Sequence, residues 1–371
     1  MKSPLYDWHQ EVSAKLADFG GWDMPIEYPK GVGDFSGGTL AEHAAVRERV
    51  GIFDVSHLGK ISVKGPGAKE FVNTMVTNDL NRIGPGSAQY NLFCNEAGGV
   101  IDDLIVYEFA EDDIFIIPNA SNCAQVAADL IASAPAGIEV RNIHDQFAVL
   151  AVQGPVSKEV LQNLGLNLEL EYMSFTKTSL PGNESLGEII ICRTGYSGEF
   201  GYELLPLWTS AEAVWKILLT EIAKLDGRVC GLGARDTLRT EMGYPLHGYE
   251  LSLEITPVQA SSSWAVVFSK EKFRGKSALE AEKARGTVRV LRALKCNDRG
   301  IPRAGMKVMD SNSKVIGEVT SGTFSPTLKV GIALALLSPE IKLGDTVQID
   351  IRGRISAASV VKAPFVESHV R

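Results

Sequence analysis

The segment CNEAGGVIDDLIVYEF, residues 94–109, runs a turn signal straight into an apolar strand and sets two adjacent aspartates near the strand's start. Side chains alternate faces along a strand. Val100, Asp102, Leu104 and Val106 therefore share one face, and Ile101, Asp103, Ile105 and Tyr107 share the other. Both faces are apolar, which predicts a strand covered on both sides. The two carboxylates point opposite ways, which argues against a dyad sharing one proton. A carboxylate in such surroundings needs a hydrogen-bonding partner. Two readings stay open on these residues alone. In one, an aspartate caps the Ala-Gly-Gly turn and the other meets solvent at the strand edge. In the other, one carboxylate faces a ligand pocket as proton acceptor or as the group that positions a nitrogen.

Working outward, AQYNLFC (88–94) and DIFIIPNA (113–120) complete a β-meander around this strand. Before it, Thr39-x-x-Glu42 reads as a capping box opening a helix, GIFDVSHLGKISVKG (51–65) as strand material, and GAKEFVNTMV (67–76) as helix. After it come a helix over 121–134, a buried strand at FAVLAVQG (147–154), a short helix with Ser157 as cap, and a strong amphipathic helix over 210–225. Beyond about residue 285 helical signal nearly vanishes. TVRVLRALKC, KVIGEVTSG, KVGIALALL, DTVQIDI and ISAASVVKA are short strands at close spacing, the mark of a small all-β barrel or sandwich. The chain ahead of that boundary reads as mixed α+β without a Rossmann-type rhythm.

Composition narrows the function. The 371 residues are 45% hydrophobic and 22% charged, ordinary for a globular protein of two or three domains. A net charge of −8 without a basic stripe argues against nucleic acid. The five cysteines are odd in number and lack a C-x-x-C, so free thiols are expected rather than disulfides or zinc, and the six histidines show no metal spacing. With no apolar leader at MKSPLYDWHQ and no long apolar run, the chain reads as cytoplasmic, without membrane contact.

RTGYSGEFGYELL (193–205) spaces Gly195, Gly198 and Gly201 as G-x-x-G-x-x-G. That is neither the dinucleotide fingerprint nor a P-loop. It reads as a hairpin turn in which glycines allow positive φ and close approach of a backbone or flat ligand. Glu203 follows it. Facing solvent it is a surface residue; facing inward, its oxygens accept from two adjacent N–H groups, as on an aminopyrimidine or pterin edge. His57 reads as catalytic or as a hydrogen-bonded structural histidine. Arg235 and Arg239 share a helix face, either solvated or turned to a cleft where a guanidinium fork suits a carboxylate. Ser321 and Ser325 read as a turn.

SPLYDWH, FGGWDMPIEY, GIFDVSHLG, NEAGGVIDDLIVY, QGP, RTGYSGEFGYEL, GLGARDTLRTEMG, SSSWAVVF and GEVTSGTFSPTL occur in this order over nearly the whole chain. Together they closely resemble the aminomethyltransferase family of glycine cleavage T-proteins. The resemblance implies a three-domain cloverleaf of antiparallel sheets and helices. Its parts would be a discontinuous folate-binding unit (1–56 plus 144–275), an inserted unit carrying the aspartate strand (57–143), and a C-terminal β-barrel or jelly-roll-like unit (285–371). It implies transfer of a methylene carbon from the aminomethyl-dihydrolipoyl arm of the H-protein to tetrahydrofolate, with release of ammonia and no metal.

Position by position, the resemblance makes Asp103 the catalytic carboxylate and Glu203 the pterin ligand. It makes Arg235 a folate-binding arginine, and sets Tyr90, Phe115, Ile117, Asn119 and Tyr196 in the folate cavity. Asp102 falls to turn or inter-domain hydrogen bonding. Departures from the family pattern are Leu58 for a frequent Met, Ser197 in YSGE, PLHGYEL (245–251) for L-Y-G-x-D, an apparent insertion over 31–40, and a short tail, VESHVR, with Arg371 its only cation. Two other readings are a folate-dependent demethylase and a non-catalytic folate-binding assembly factor. The first comes with a flavin domain, and no dinucleotide fingerprint is present. The second lacks the tandem aspartates and carries a cysteine motif missing here.

Overall fold

The computed structural model describes residues 1–33 and 35–371; Asp34, inside the segment read as an insertion, lies outside the described residues. Mixed helices and largely antiparallel sheets are followed by a closed six-stranded barrel, as expected for the α+β class with a C-terminal β unit.

The aspartate strand, Val100–Ala110, is the second member of a five-stranded sheet. The spatial order is Ser87–Cys94, Val100–Ala110, Asp113–Ile117, Ile61–Lys64, Glu139–Asn142, all antiparallel. One face packs Leu104 and Val106 onto the helices Ala68–Met75 and Cys123–Ser133. The other carries Ile105 and Tyr107 against Phe115, Phe175 and the second sheet. Cover on both faces, read from the sequence, is what the packing shows. Asn95 closes the turn before the strand, its side chain accepting from Gly99 N–H at 2.9 Å, so neither aspartate caps it. Gly99 is required there: a Cβ would lie 1.9 Å from the Leu253 carbonyl oxygen.

The second sheet has six strands, ordered Phe175–Ser179, Glu188–Cys192, Gly201–Leu205, Leu150–Gln153, Gly51–Asp54, Arg228–Val229; only the last pair is parallel. Its strands come from before and after the five-stranded sheet in sequence. The amphipathic helix Ala211–Lys224 buries Val214, Trp215, Leu218 and Ile222 against it. The barrel closes through Val290–Cys296, Val330–Leu337, Val315–Ser325, Lys307–Met309, Thr346–Ile351 and Arg354–Val361, with an aliphatic interior including Leu294, Val308, Leu337 and Ile349.

The helix Leu232–Met242 joins barrel to sheets through charge. Arg239 is 3% exposed and bonds Asp236 at 2.7 Å, Glu250 at 3.1 Å and, in the barrel, Ser321 at 2.9 Å. Glu241 pairs with Arg47 at 2.9 Å and accepts from Thr327 of the barrel at 2.9 Å. Three local expectations are corrected here. Ser321 and Ser325 lie buried on a strand that docks this helix, not in a turn. Thr39 and Glu42 form no capping box: Thr39 donates to Glu27, and the buried Glu42 accepts from the distant N–H groups of Tyr28 (2.7 Å) and Gly231 (2.9 Å). Ser157 donates to the carbonyls of Gly154 and Phe200 rather than capping its helix. All five cysteines are free and buried.

Candidate active site

The two sheets and the loop 244–247 enclose a cavity of about 230 Å³. Of the residues singled out from the sequence, Asp103, Tyr90, Ile117, Asn119, Tyr196, Glu203, Arg235, His57 and Leu58 line it. Phe115 does not. It shares a strand face with Ile117, but Tyr107 and Phe147 pack against its ring at 6.0 and 6.2 Å and leave it 5% exposed in the core beneath the cavity. Sequence reasoning passed over Tyr107, Tyr172, His247 and Trp264 in the wall. Trp264 lay in the quoted SSSWAVVF and His247 in a noted departure, but neither has a local pattern that points inward.

Asp103 stands at the cavity surface. Tyr90 donates its hydroxyl to one carboxylate oxygen at 3.1 Å and Asn119 its amide to the other at 2.9 Å. Burial pushes the Asp103 carboxyl above its usual range, against the pull of His247 and the two donors. The ring of Trp264, 67% exposed at the cavity mouth, stacks on Tyr90 with centroids 5.2 Å apart. Asp102 turns away and is fully buried, yet it too meets Asn119, so opposite faces do not keep the two acids independent.

Across the cavity, the hairpin after Cys192 carries Tyr196 and Glu203. Glu203 is 8% exposed, faces inward, and accepts from the Thr194 hydroxyl. Two of the three glycines serve a side chain. A Cβ at Gly195 or Gly201 would lie 2.1 or 2.4 Å from the buried amide of Gln153, which donates to Thr194 and Tyr202 carbonyls. Only Gly198 takes positive φ (+82°). Arg235 stacks over Tyr196, 4.5 Å from its centroid, and none of the hydrogen bonds or ion pairs among the described residues involves its guanidinium. Burial lowers its proton affinity. His57 corrects the expectation of a hydrogen-bonded histidine: Nδ1 is buried without a partner, and burial followed by the charge of Arg235 pulls its pKa down to about 3, so the ring is neutral. The tail bonds the glycine turn, His369 N–H to the Gly198 carbonyl at 2.8 Å, and its Arg371 lies 5.8 Å from the Tyr172 centroid.

A larger groove, about 640 Å³, lies beside the mouth and shares Tyr244, Pro245 and Trp264 with the cavity. Its other walls are mostly aliphatic, with Arg292 and Lys362 and no carboxylate. The titratable Asp103, Glu203 and Arg235 line the smaller cavity instead.

Family profiles cover almost all of the chain: the GCVT N-terminal domain matches residues 5–270, and the glycine cleavage T-protein C-terminal barrel domain matches residues 289–367. The chain belongs to the glycine cleavage T-protein family. Within it, an aminomethyltransferase from Parafrankia sp. (strain EAN1pec) is 57% identical over 370 residues, spanning 100% of this chain and 99% of that protein. One from Mycobacterium bovis is 52% identical, spanning 99% and 97%. The crystal structure of glycine cleavage system aminomethyltransferase T from Bartonella henselae superposes with a TM-score of 0.90 at 33% identity, covering 100% of this chain and 99% of that one. The T-protein family is one of aminomethyltransferases, so this chain is a transferase of glycine cleavage. Among the described residues no helix is long and apolar enough to cross a membrane.

Proposed function

We propose that the protein transfers the methylene carbon of an aminomethyl group, carried on the dihydrolipoyl arm of the H-protein, to tetrahydrofolate. Two carbon–nitrogen bonds form, one to each of the folate nitrogens N5 and N10. The bonds from that carbon to sulfur and to the amine break, the two N–H protons of the folate pass to the departing amine and thiolate, and ammonia, 5,10-methylenetetrahydrofolate and the reduced arm leave. The observation that carries this reading is the meeting of Asp103, Glu203 and Arg235 in one aromatic-walled cavity.

The residues present fit a reduced folate. Glu203 offers carboxylate oxygens to the paired N–H groups of a pterin edge. Arg235, stacked but without a protein acceptor, has donors to spend on a ligand. Tyr90, Tyr172 and Tyr196 supply flat walls. Tetrahydrofolate supplies the two amine nitrogens that hold the carbon. Asp103, with its proton affinity raised by burial, takes the proton that the attacking nitrogen gives up. Tyr90 and Asn119 hold its carboxylate in one orientation, and the enclosed site supplies proximity. The same reading divides the chain into 1–56 plus 144–275, 57–143 and 285–371. The nesting of the five-stranded sheet within the six-stranded one in sequence supports that division.

The test is ammonia release from aminomethyl-loaded H-protein by the purified chain. We expect release that requires tetrahydrofolate. Activity on sarcosine or dimethylglycine, or folate binding without release, would point to the demethylase or to the assembly factor instead.

A further inference from the structure

Asp102 has no part in the reaction described above, yet it is the most heavily satisfied carboxylate around the cavity. It is fully buried, and none of the ion pairs among the described residues includes it. Three N–H donors converge on it: the Asn119 backbone at 2.8 Å, the Asn119 amide at 2.8 Å, and the Asn122 amide at 2.7 Å. The same Asn119 amide nitrogen lies 2.9 Å from a carboxylate oxygen of Asp103 and 3.0 Å from its backbone carbonyl. An amide nitrogen carries two hydrogens, so one NH₂ group spans both acids.

Chemistry selects an aspartate at 102. An asparagine there would turn its own NH₂ toward at least one of the converging donors. The two carboxyl oxygens can accept from all three; burial, followed by the neighbouring Asp103, outweighs these donors and pushes the Asp102 proton affinity well above its usual range. The groups facing the pair are few. Cys123 on the helix Cys123–Ser133 faces Asp102. Tyr90, Tyr196, Arg235 and His247 face Asp103.

We propose that Asp102 is the positioning residue for Asp103: it anchors the Asn119 amide that orients the Asp103 carboxylate. This rests on the reading of Asp103 as proton acceptor. The adjacency explains why the two acids are consecutive. Alternation sends one into the cavity and one into the wall, and a single residue of the neighbouring strand's exit ties them together.

The experiment is a carboxyl ¹³C NMR titration of the ligand-free full-length protein, with Asp103 assigned by its loss in Asp103→Asn. In Asp102→Asn we expect the Asp103 carboxyl resonance to shift, because the Asn119 amide that holds it loses its anchor. The kcat should fall about tenfold or more from lost orientation, with folate affinity nearly unchanged. A lower melting temperature with an unmoved Asp103 resonance and an unchanged kcat would overturn the proposal, leaving Asp102 a purely structural residue. Should Asp102→Asn fail to fold, Asn122→Ala keeps both acids and removes one donor. The Asp103 resonance and kcat should then change by a smaller amount; no change in either overturns the proposal too. A wild-type protein without transfer activity whose variants still show the resonance shift would sink the proposed function and leave the carboxylate pair intact.

Discussion

Replacing Arg239 by methionine should strip the protein of much of its stability without touching a cavity-lining side chain. Arg239 is 3% exposed, and its partner Glu250 has a fully buried side chain. Burial alone would weaken the guanidinium's hold on its proton; Tyr196, Asp236 and Glu250 outweigh it and push its pKa up. Methionine keeps most of the volume, so the loss is electrostatic. Glu250 would retain the Leu246 N–H at 2.9 Å, but its other oxygen has no partner and its charge would stand uncompensated. Breaking a buried pair from one side costs about 3–5 kcal/mol. The Asp236 contact adds little, because that carboxylate is half exposed. The barrel also loses the bond from Arg239 to Ser321. We expect the melting temperature to drop by roughly 5–10 °C, read by scanning calorimetry. Adding Glu250→Gln removes the stranded charge and keeps an acceptor for Leu246, so the double variant should recover at least half of the loss. A single variant within about 1 kcal/mol of the parent, or a double variant no better than the single, would refute this account of the junction.

Other outcomes follow from the same geometry. Glu203→Ala should weaken tetrahydrofolate binding by about tenfold or more, as loss of a buried charge-assisted acceptor does; an unchanged dissociation constant by calorimetry would remove Glu203 from the pterin site. Glu42 has its pKa pushed up to about 7 by burial. Its unfolded-state value lies near 4.3. A raised carboxyl stabilises fully below its unfolded value and loses that contribution as pH rises to about 7, so stability should decline over this window by about 3 kcal/mol from this group. Glu42→Gln should flatten that slope in melts between pH 5 and 7. Asp54, hydrogen-bonded to His9 at 2.9 Å, and Glu241 are both held down at about 2. Burial opposes this in each, but the paired histidines, His9 and His43, prevail. Their stabilising contributions are present above pH 4 or so and fade as pH falls toward 2, which should appear as acid unfolding that Asp54→Asn blunts.

What the sequence made legible was local. The meander around Val100–Ala110 and the barrel strands were readable because alternation and turn chemistry are properties of a few consecutive residues. The inward aspect of Asp103 and Glu203 needed the family resemblance, since a strand pattern with two apolar faces does not say which face holds a cavity. Glu42 misled because its capping-box spacing was genuine, yet buried N–H groups at Tyr28 and Gly231 claimed its carboxylate. Arg239 could be read as solvated or as facing a cleft, and its junction role stayed hidden because its counter-ion sits in a loop eleven residues on and its third partner in the barrel. The bridge from Asn119 to both aspartates was equally invisible, as it depends on where one strand ends beside another. Phe115 shows the limit of face assignment: it shares a face with Ile117, but depth, set by Tyr107 above it, keeps it out of the cavity.

The central claim is that one carboxylate, Asp103, performs the proton chemistry in a folate-shaped cavity. Its most direct measurement compares wild type and Asp103→Asn for ammonia release from aminomethyl-loaded H-protein, alongside tetrahydrofolate affinity. We expect turnover to fall by about a hundredfold or more while affinity stays nearly constant. Equal turnover in the two proteins would contradict the account.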